Sequence, residues 1–152
     1  GSGYSPARAI SGYAGTVYLK VESSWASSTG TYAIKYFEEG DAVVSLSAGN
    51  WVNASITESG EVDTYTFTAQ SGTTYNIYWA DSSQYGAYNP TPTCNISVTA
   101  YQSDLATTFF ADQNSAFTTP KTISGYTGTV YLKVKGDWPS TAGTYAIRYT
   151  TP

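Results

Sequence analysis

Apolar residues alternate with polar ones along most of the chain, and no helical period of 3.6 residues persists anywhere. Val52, Ala54 and Ile56 alternate with Trp51, Asn53 and Ser55, and Tyr65, Phe67 and Ala69 with Thr64, Thr66 and Thr68. The same period of two runs through Tyr75-Ile77-Trp79, Ile96-Val98-Ala100, Val130-Leu132-Val134 and Tyr145-Ile147-Tyr149. A period of two gives each strand one apolar and one polar face, as an antiparallel sheet with one solvated side requires. Gly/Ser/Thr turns separate the runs, at Glu58-Ser59-Gly60, Gln70-Ser71-Gly72 and Ser140-Thr141-Ala142-Gly143. About eight short strands of this kind predict an all-β fold, a two-sheet antiparallel β-sandwich of jelly-roll-like form. The alternation also sorts the large aromatics. Trp51 and Tyr78 fall on polar faces, and Trp79 falls on the core side with Tyr75 and Ile77.

The chain contains an internal repeat. ISGYAGTVYLKVESSWASSTGTYAIKY, residues 10–36, aligns without a gap on ISGYTGTVYLKVKGDWPSTAGTYAIRY, residues 123–149, and 19 of the 27 positions are identical. The stretch from Glu38 to Pro120 has no second copy. The expected organisation is therefore residues 1–37 as the C-terminal hairpin fragment of a preceding repeat, and residues 38–152 as a complete sandwich module. One body offers one slot for such a hairpin, and the C-terminal copy follows the body through a short connection, so its effective concentration at the slot is high. The N-terminal copy is then expected to leave Val17, Leu19, Val21 and Ile34 unburied. A lone hairpin is marginal in water and its edge invites pairing, so a homo-oligomer formed by strand exchange or edge pairing is expected.

Composition narrows the function. Only 12% of the 152 residues are charged, the net charge is −4, and 16% are aromatic, with 15 Tyr and 4 Trp. Seven Lys and Arg residues, scattered, do not supply the clustered cations a nucleic acid needs. No apolar run approaches the ~20 residues of a membrane-spanning helix. The hydroxyl- and aromatic-rich strands suit an extracellular or cell-surface protein, although the Gly1-Ser2 start, without Met, carries no leader to read. The single Cys94 excludes an intrachain disulfide and reads as a small semi-buried residue. The chain has no histidine, so neither a Ser–His–Asp nor a Cys–His site can be built, and the common zinc ligand sets are out of reach. Glu58, Glu61 and Asp63 could in principle pair for glycoside hydrolysis, but read better as turn residues. The expectation is a protein that is not an enzyme.

The order of motifs resembles a known family. Gly60-Glu61-Val62-Asp63-Thr64-Tyr65-Thr66-Phe67 and Ser71-Gly72-Thr73-Thr74-Tyr75-Asn76-Ile77 resemble the opening of a bacterial pre-peptidase C-terminal domain. Thr129 to Val134 followed by Gly143 to Ile147 resembles that family's closing hairpin. The resemblance spans about Asp41 to Thr150. It implies a β-sandwich appended to secreted bacterial enzymes, some relatives binding collagen or polysaccharide and some binding calcium near their first strands. The long aromatic loop from Ala80 to Cys94 departs from the family, which has a short Asp-rich strand there.

Calcium takes six to eight oxygen ligands. Glu38, Glu39, Asp41 and Asp63 could supply them if the first strand lies beside the third, and Asp81-Ser82-Ser83 is a weaker candidate. No other cofactor is expected. The aromatics carry the sharper expectation. Sugar rings present apolar C–H faces on which flat side chains stack, while hydroxyls bond the ring edges. Trp51 and Tyr78 should face outward. Trp25 and Trp138 occupy equivalent places in the two copies of the repeat, and Tyr85 and Tyr88 lie in a loop of roughly twelve residues, long enough to suggest function. These six residues form the candidate surface of a non-catalytic module that binds plant or microbial polysaccharide. The alternative is a structural stalk or adhesin-like repeat, with its aromatics buried or scattered. Facing solvent, Trp51 is expected to cost under ~0.5 kcal/mol when truncated to Ala.

Overall fold

The computed structural model describes residues 10, 15–22, 25, 29–31, 34, 43–84, 86–112, 116–137 and 142–152. The chain divides into two units, Gly1–Lys35 and Tyr36–Pro152. The described residues of the second unit form nine strands: β1 (Val43–Ser45), β2 (Val52–Ile56), β3 (Val62–Ala69), β4 (Tyr75–Ala80), β5 (Ile96–Tyr101), β6 (Thr108–Asp112), β7 (Lys121–Ile123), β8 (Gly128–Gly136) and β9 (Gly143–Thr150). They form a five-stranded sheet, β1-β3-β8-β5-β6, and a four-stranded sheet, β2-β9-β4-β7. Every pairing is antiparallel except β1 with β3. The two-sheet β-sandwich expected from the alternation is the fold.

The apolar sets meet between the sheets. Tyr65, Phe67, Ala69, Tyr75, Ile77, Trp79, Ile96, Val98, Ala100, Val130, Leu132, Val134, Tyr145 and Ile147 are all buried. Fully burying a large apolar side chain is worth about 1.5–3 kcal/mol, so these positions dominate the stability. Trp79 lies in the core, stacked on Phe110 at 6.2 Å between ring centroids. Phe67 stacks on Tyr149 at 4.4 Å. The turns expected at Glu58-Ser59-Gly60 and Gln70-Ser71-Gly72 hold, with Gly60 at φ 83° and Gly72 at φ 77°, conformations that favour glycine, while Ser140 and Thr141 of the third lie outside the described residues.

One expectation is corrected. The repeated segment is not the hairpin that its sequence predicts, since β8 and β9 do not pair with each other. β8 lies between β3 and β5 in one sheet, and β9 between β2 and β4 in the other. The connection therefore arches across the core from sheet to sheet. Alternation gives the faces of a strand but not its neighbours, so an arch and a hairpin look alike in sequence. The distinction matters, because this arch supplies a central strand to both sheets.

A hydrogen-bonded chain crosses the sandwich near β3 and β9. The Tyr145 hydroxyl donates to Asp63 Oδ2 at 2.5 Å and lies 2.6 Å from the Tyr65 hydroxyl. Burial pushes the Tyr65 pKa up to about 12 and Tyr145 well above its ordinary value, so both stay protonated. Burial also raises the Asp63 pKa, opposed by the bond from Tyr145 and reinforced by the Glu61 charge. Because the folded state holds the Asp63 proton more tightly than the unfolded chain, its contribution is present below the ordinary carboxylate range. It is lost as pH rises through the folded value. Asp63→Asn is thus expected to flatten the fall in stability as pH rises above the ordinary carboxylate range, read from denaturant midpoints. A steeper fall in the variant would show that Asp63 is held ionised.

In the first unit none of the described residues is in a strand. Ile10, Val17, Leu19, Val21 and Ile34 are 46–62% exposed.

Candidate functional site

The outer face of the β2-β9-β4-β7 sheet carries the site. Tyr78 pairs with Arg148 across β4 and β9. Val52 pairs with Ile147, which sets the preceding residue, Trp51, beside Arg148 on the other flank. The three side chains form a row across the sheet. The Arg148 guanidinium carbon lies 4.5 Å from the Trp51 ring centroid and 4.8 Å from that of Tyr78. Such cation–π contacts are worth about 0.5–2 kcal/mol, depending on desolvation. Among the described residues Arg148 has no carboxylate within ion-pairing distance, and its buried Nε has no hydrogen-bond partner.

The loop between β4 and β5 reaches over this face. Its base is closed where the Ser82 amide donates to the Cys94 carbonyl at 3.0 Å. Asp81 Oδ1 accepts from the Ser83 amide at 2.9 Å and from its hydroxyl, holding a single 3-10 turn at Ser82–Gln84. The returning leg docks on β9. The Thr93 and Cys94 amides both donate to the Thr144 carbonyl, at 3.0 and 3.1 Å, and the Thr144 amide donates to Thr93 Oγ1 at 2.9 Å. Between these anchors the Tyr88 hydroxyl donates to Asn53 Oδ1 at 2.8 Å. Ala80 and Ala146, paired with each other and turned outward by the alternation, are fully buried beneath this end of the face.

The result is an aromatic cluster. Trp51 meets Tyr88 edge-on at 5.0 Å and stacks near Phe117 at 5.9 Å, and Tyr88 meets Phe117 at 6.1 Å. Trp51, Tyr78, Tyr88, Phe117 and Arg148 are all half-buried. Burial raises the Tyr88 pKa, against the pull of the Asn53 bond and the Arg148 charge, so the hydroxyl remains a donor at neutral pH.

Trp51, Tyr78 and Tyr88 are therefore brought together, as the aromatic-surface reading requires. Tyr85 and Trp138 lie outside the described residues. Trp25 belongs to the first unit, where it is 74% exposed. Phe117 and Arg148 belong to the cluster and were not read from the sequence. Phe117 sits in an irregular connection. Arg148 is one polar position in an alternating strand, and only the register reveals that it lies between two rings. The open platform expected of Trp51 also changes, because Arg148 lies over the indole. Trp51→Ala is now expected to cost about 1–2 kcal/mol of stability, between the surface and buried limits. A loss above about 3 kcal/mol in denaturant unfolding would place the indole in the core.

The calcium reading is left with one described residue. β1 does lie beside β3, with Val43 opposite Thr64, but Glu38, Glu39 and Asp41 are outside the described residues. Asp63 Oδ2 is engaged by the Tyr145 hydroxyl. Among the described residues no three His, Cys, Asp or Glu side chains gather. Glu61 Oε2 accepts from the Thr57 amide and hydroxyl and from the Glu58 amide, closing the turn before β3. Cys94 is buried, and burial with the nearby Asp81 charge pushes its thiol up to about 11, far from a reactive thiolate.

Fold and site together define a two-sheet β-sandwich with an aromatic, arginine-centred outer face. No family model matches the sequence, and no curated protein does. The solved structures it resembles include the pre-peptidase C-terminal domain of collagenase from Bacillus anthracis. That match has a TM-score of 0.57 at 17% identity, covering 74% of this chain and 99% of that one. A second is PliG of Aeromonas hydrophila, a periplasmic inhibitor of g-type lysozyme, with a TM-score of 0.49 at 14% identity, covering 71% of this chain and 96% of that one. The first likeness is one of fold, and it is the fold that the motif order resembled.

Proposed function

We propose that this chain is a non-catalytic, extracellular polysaccharide-binding module, of the kind appended to a secreted bacterial enzyme or surface protein. The carrying observation is the convergence of Trp51, Tyr78 and Tyr88 with Arg148 on one sheet face. Exposed parts of the rings offer apolar surface to sugar C–H faces, and Asn53, Tyr88 and Arg148 offer groups for hydroxyls or for the carboxylate of an acidic sugar. The absence of histidine from the chain, with Glu61 engaged by its own turn and Asp63 by Tyr145, supports binding without turnover.

Affinity electrophoresis against soluble glycans, neutral and uronic-acid-bearing, with a pull-down on insoluble cellulose, tests the proposal. Retardation by at least one glycan is expected, weakened about tenfold or more by Tyr78→Ala, which corresponds to ~1.4 kcal/mol. Retardation that Tyr78→Ala and Tyr88→Ala leave unchanged would move binding away from this face. No retention by any glycan, with the protein folded, would favour the structural-repeat reading. Release of reducing ends, abolished by one carboxylate substitution, would make the chain an enzyme.

A further inference from the structure

We infer that residues 10–36 are a second copy of the β8–β9 arch, built to complete a sandwich body of this type whose arch position is open. The observation is where the two copies differ. Seven positions of the second copy are buried: Ile123, Val130, Leu132, Val134, Tyr145, Ala146 and Ile147. All seven are identical in the first copy, as Ile10, Val17, Leu19, Val21, Tyr32, Ala33 and Ile34. The eight differences pair Ala14, Glu22, Ser23, Ser24, Ala26, Ser28, Thr29 and Lys35 with Thr127, Lys135, Gly136, Asp137, Pro139, Thr141, Ala142 and Arg148. Of these, Pro139 and Thr141 are outside the described residues, and the other six second-copy positions are exposed or half-buried. Among the described positions, substitution has touched none that the sandwich buries. The backbone agrees at Gly15 and Gly128, with φ 144° and 135°, and differs at Gly30 and Gly143, of which only Gly143 has a positive φ.

The fold states what such an arch must bury against. β8 fills the gap between β3 and β5, and β9 fills the gap between β2 and β4. Without the arch each sheet loses an interior strand and falls into two pieces. The first copy carries the same apolar register, yet Ile10, Val17, Leu19, Val21 and Ile34 are 46–62% exposed where their counterparts are 0–2% exposed. Counting fixes the partner. Residues 1–152 hold one body and two copies of the arch sequence, so exchange among copies of this segment exposes as many arches as it buries. The fitting occupant is a body equivalent to β1–β7 that lacks a working arch. The seven identical buried residues specify its interior.

The experiment opens that position within the full chain. Leu132→Asp with Ile147→Asp puts two carboxylates into the core and expels the resident arch. The double variant is expected to keep a cooperative thermal transition and the near-ultraviolet circular dichroism of packed aromatics, because the first copy takes the place. Adding Leu19→Asp and Ile34→Asp is expected to abolish both signals, whereas that pair alone leaves the wild-type transition intact. Light scattering distinguishes completion within a chain from completion between chains, and either supports the inference. If the double variant is as unfolded as the quadruple variant, the first copy does not fit and the inference fails. Unfolding by Leu19→Asp and Ile34→Asp alone would equally overturn it, since the first copy would then serve the present core.

Discussion

Leu132→Ala is expected to destabilise the sandwich by about 2–5 kcal/mol, while Leu19→Ala, the same change at the same place in the repeat, shifts it by under about 0.5. The contrast is purely one of burial. Leu132 is 0% exposed, with the β8 neighbours Val130 and Val134 equally buried, and Leu19 is 58% exposed. Removing methyl groups from the first site leaves a cavity between two sheets, and at the second it leaves water. Native stability is typically about 5–15 kcal/mol, so the first loss is a large share of the total. Parallel denaturant titrations of both variants decide the matter. Equal losses would mean that Leu19 also sits in a core.

Gly143→Ala is the second large effect. An added Cβ would lie 2.6 Å from Thr93 Oγ1 and 3.0 Å from the Thr93 carbonyl carbon, at a φ of +147° that L residues rarely adopt. Backbone strain contributes about 1–3 kcal/mol and overpacking a comparable amount. Gly72 is the control. It has φ +77°, but nothing lies within 4 Å of its added Cβ, so Gly72→Ala should show the strain alone. The difference between the two variants measures the close approach of the loop to β9. Because Thr93 and Cys94 anchor the leg that follows Tyr88, Gly143→Ala should also weaken hydrogen-exchange protection at both amides. If Gly143→Ala costs no more than Gly72→Ala, the loop is not held there.

Local pattern settled much of this protein. Six runs with a period of two became β2, β3, β4, β5, β8 and β9, with the expected residues inward, because an alternating strand has only one way to hide its apolar side. Trp79 went to the core and Trp51 and Tyr78 to the outer face for the same reason. The runs that escaped were β1, β6 and β7. β1 and β7 have three residues each, too few to establish a period, and β6 is an edge strand whose Phe109 and Phe110 break the alternation. Identity between the two copies of the repeat was also plain in the sequence. Only the tertiary structure decided that this segment is an arch rather than a hairpin, since backbone pairing depends on partners far along the chain. It likewise decided that Arg148 stands between Trp51 and Tyr78, because that row is created by the register of three strands and by no motif within any one of them. And it alone separated two nearly identical segments into one that is core and one that is surface: burial belongs to the neighbours a residue finds, not to the residue.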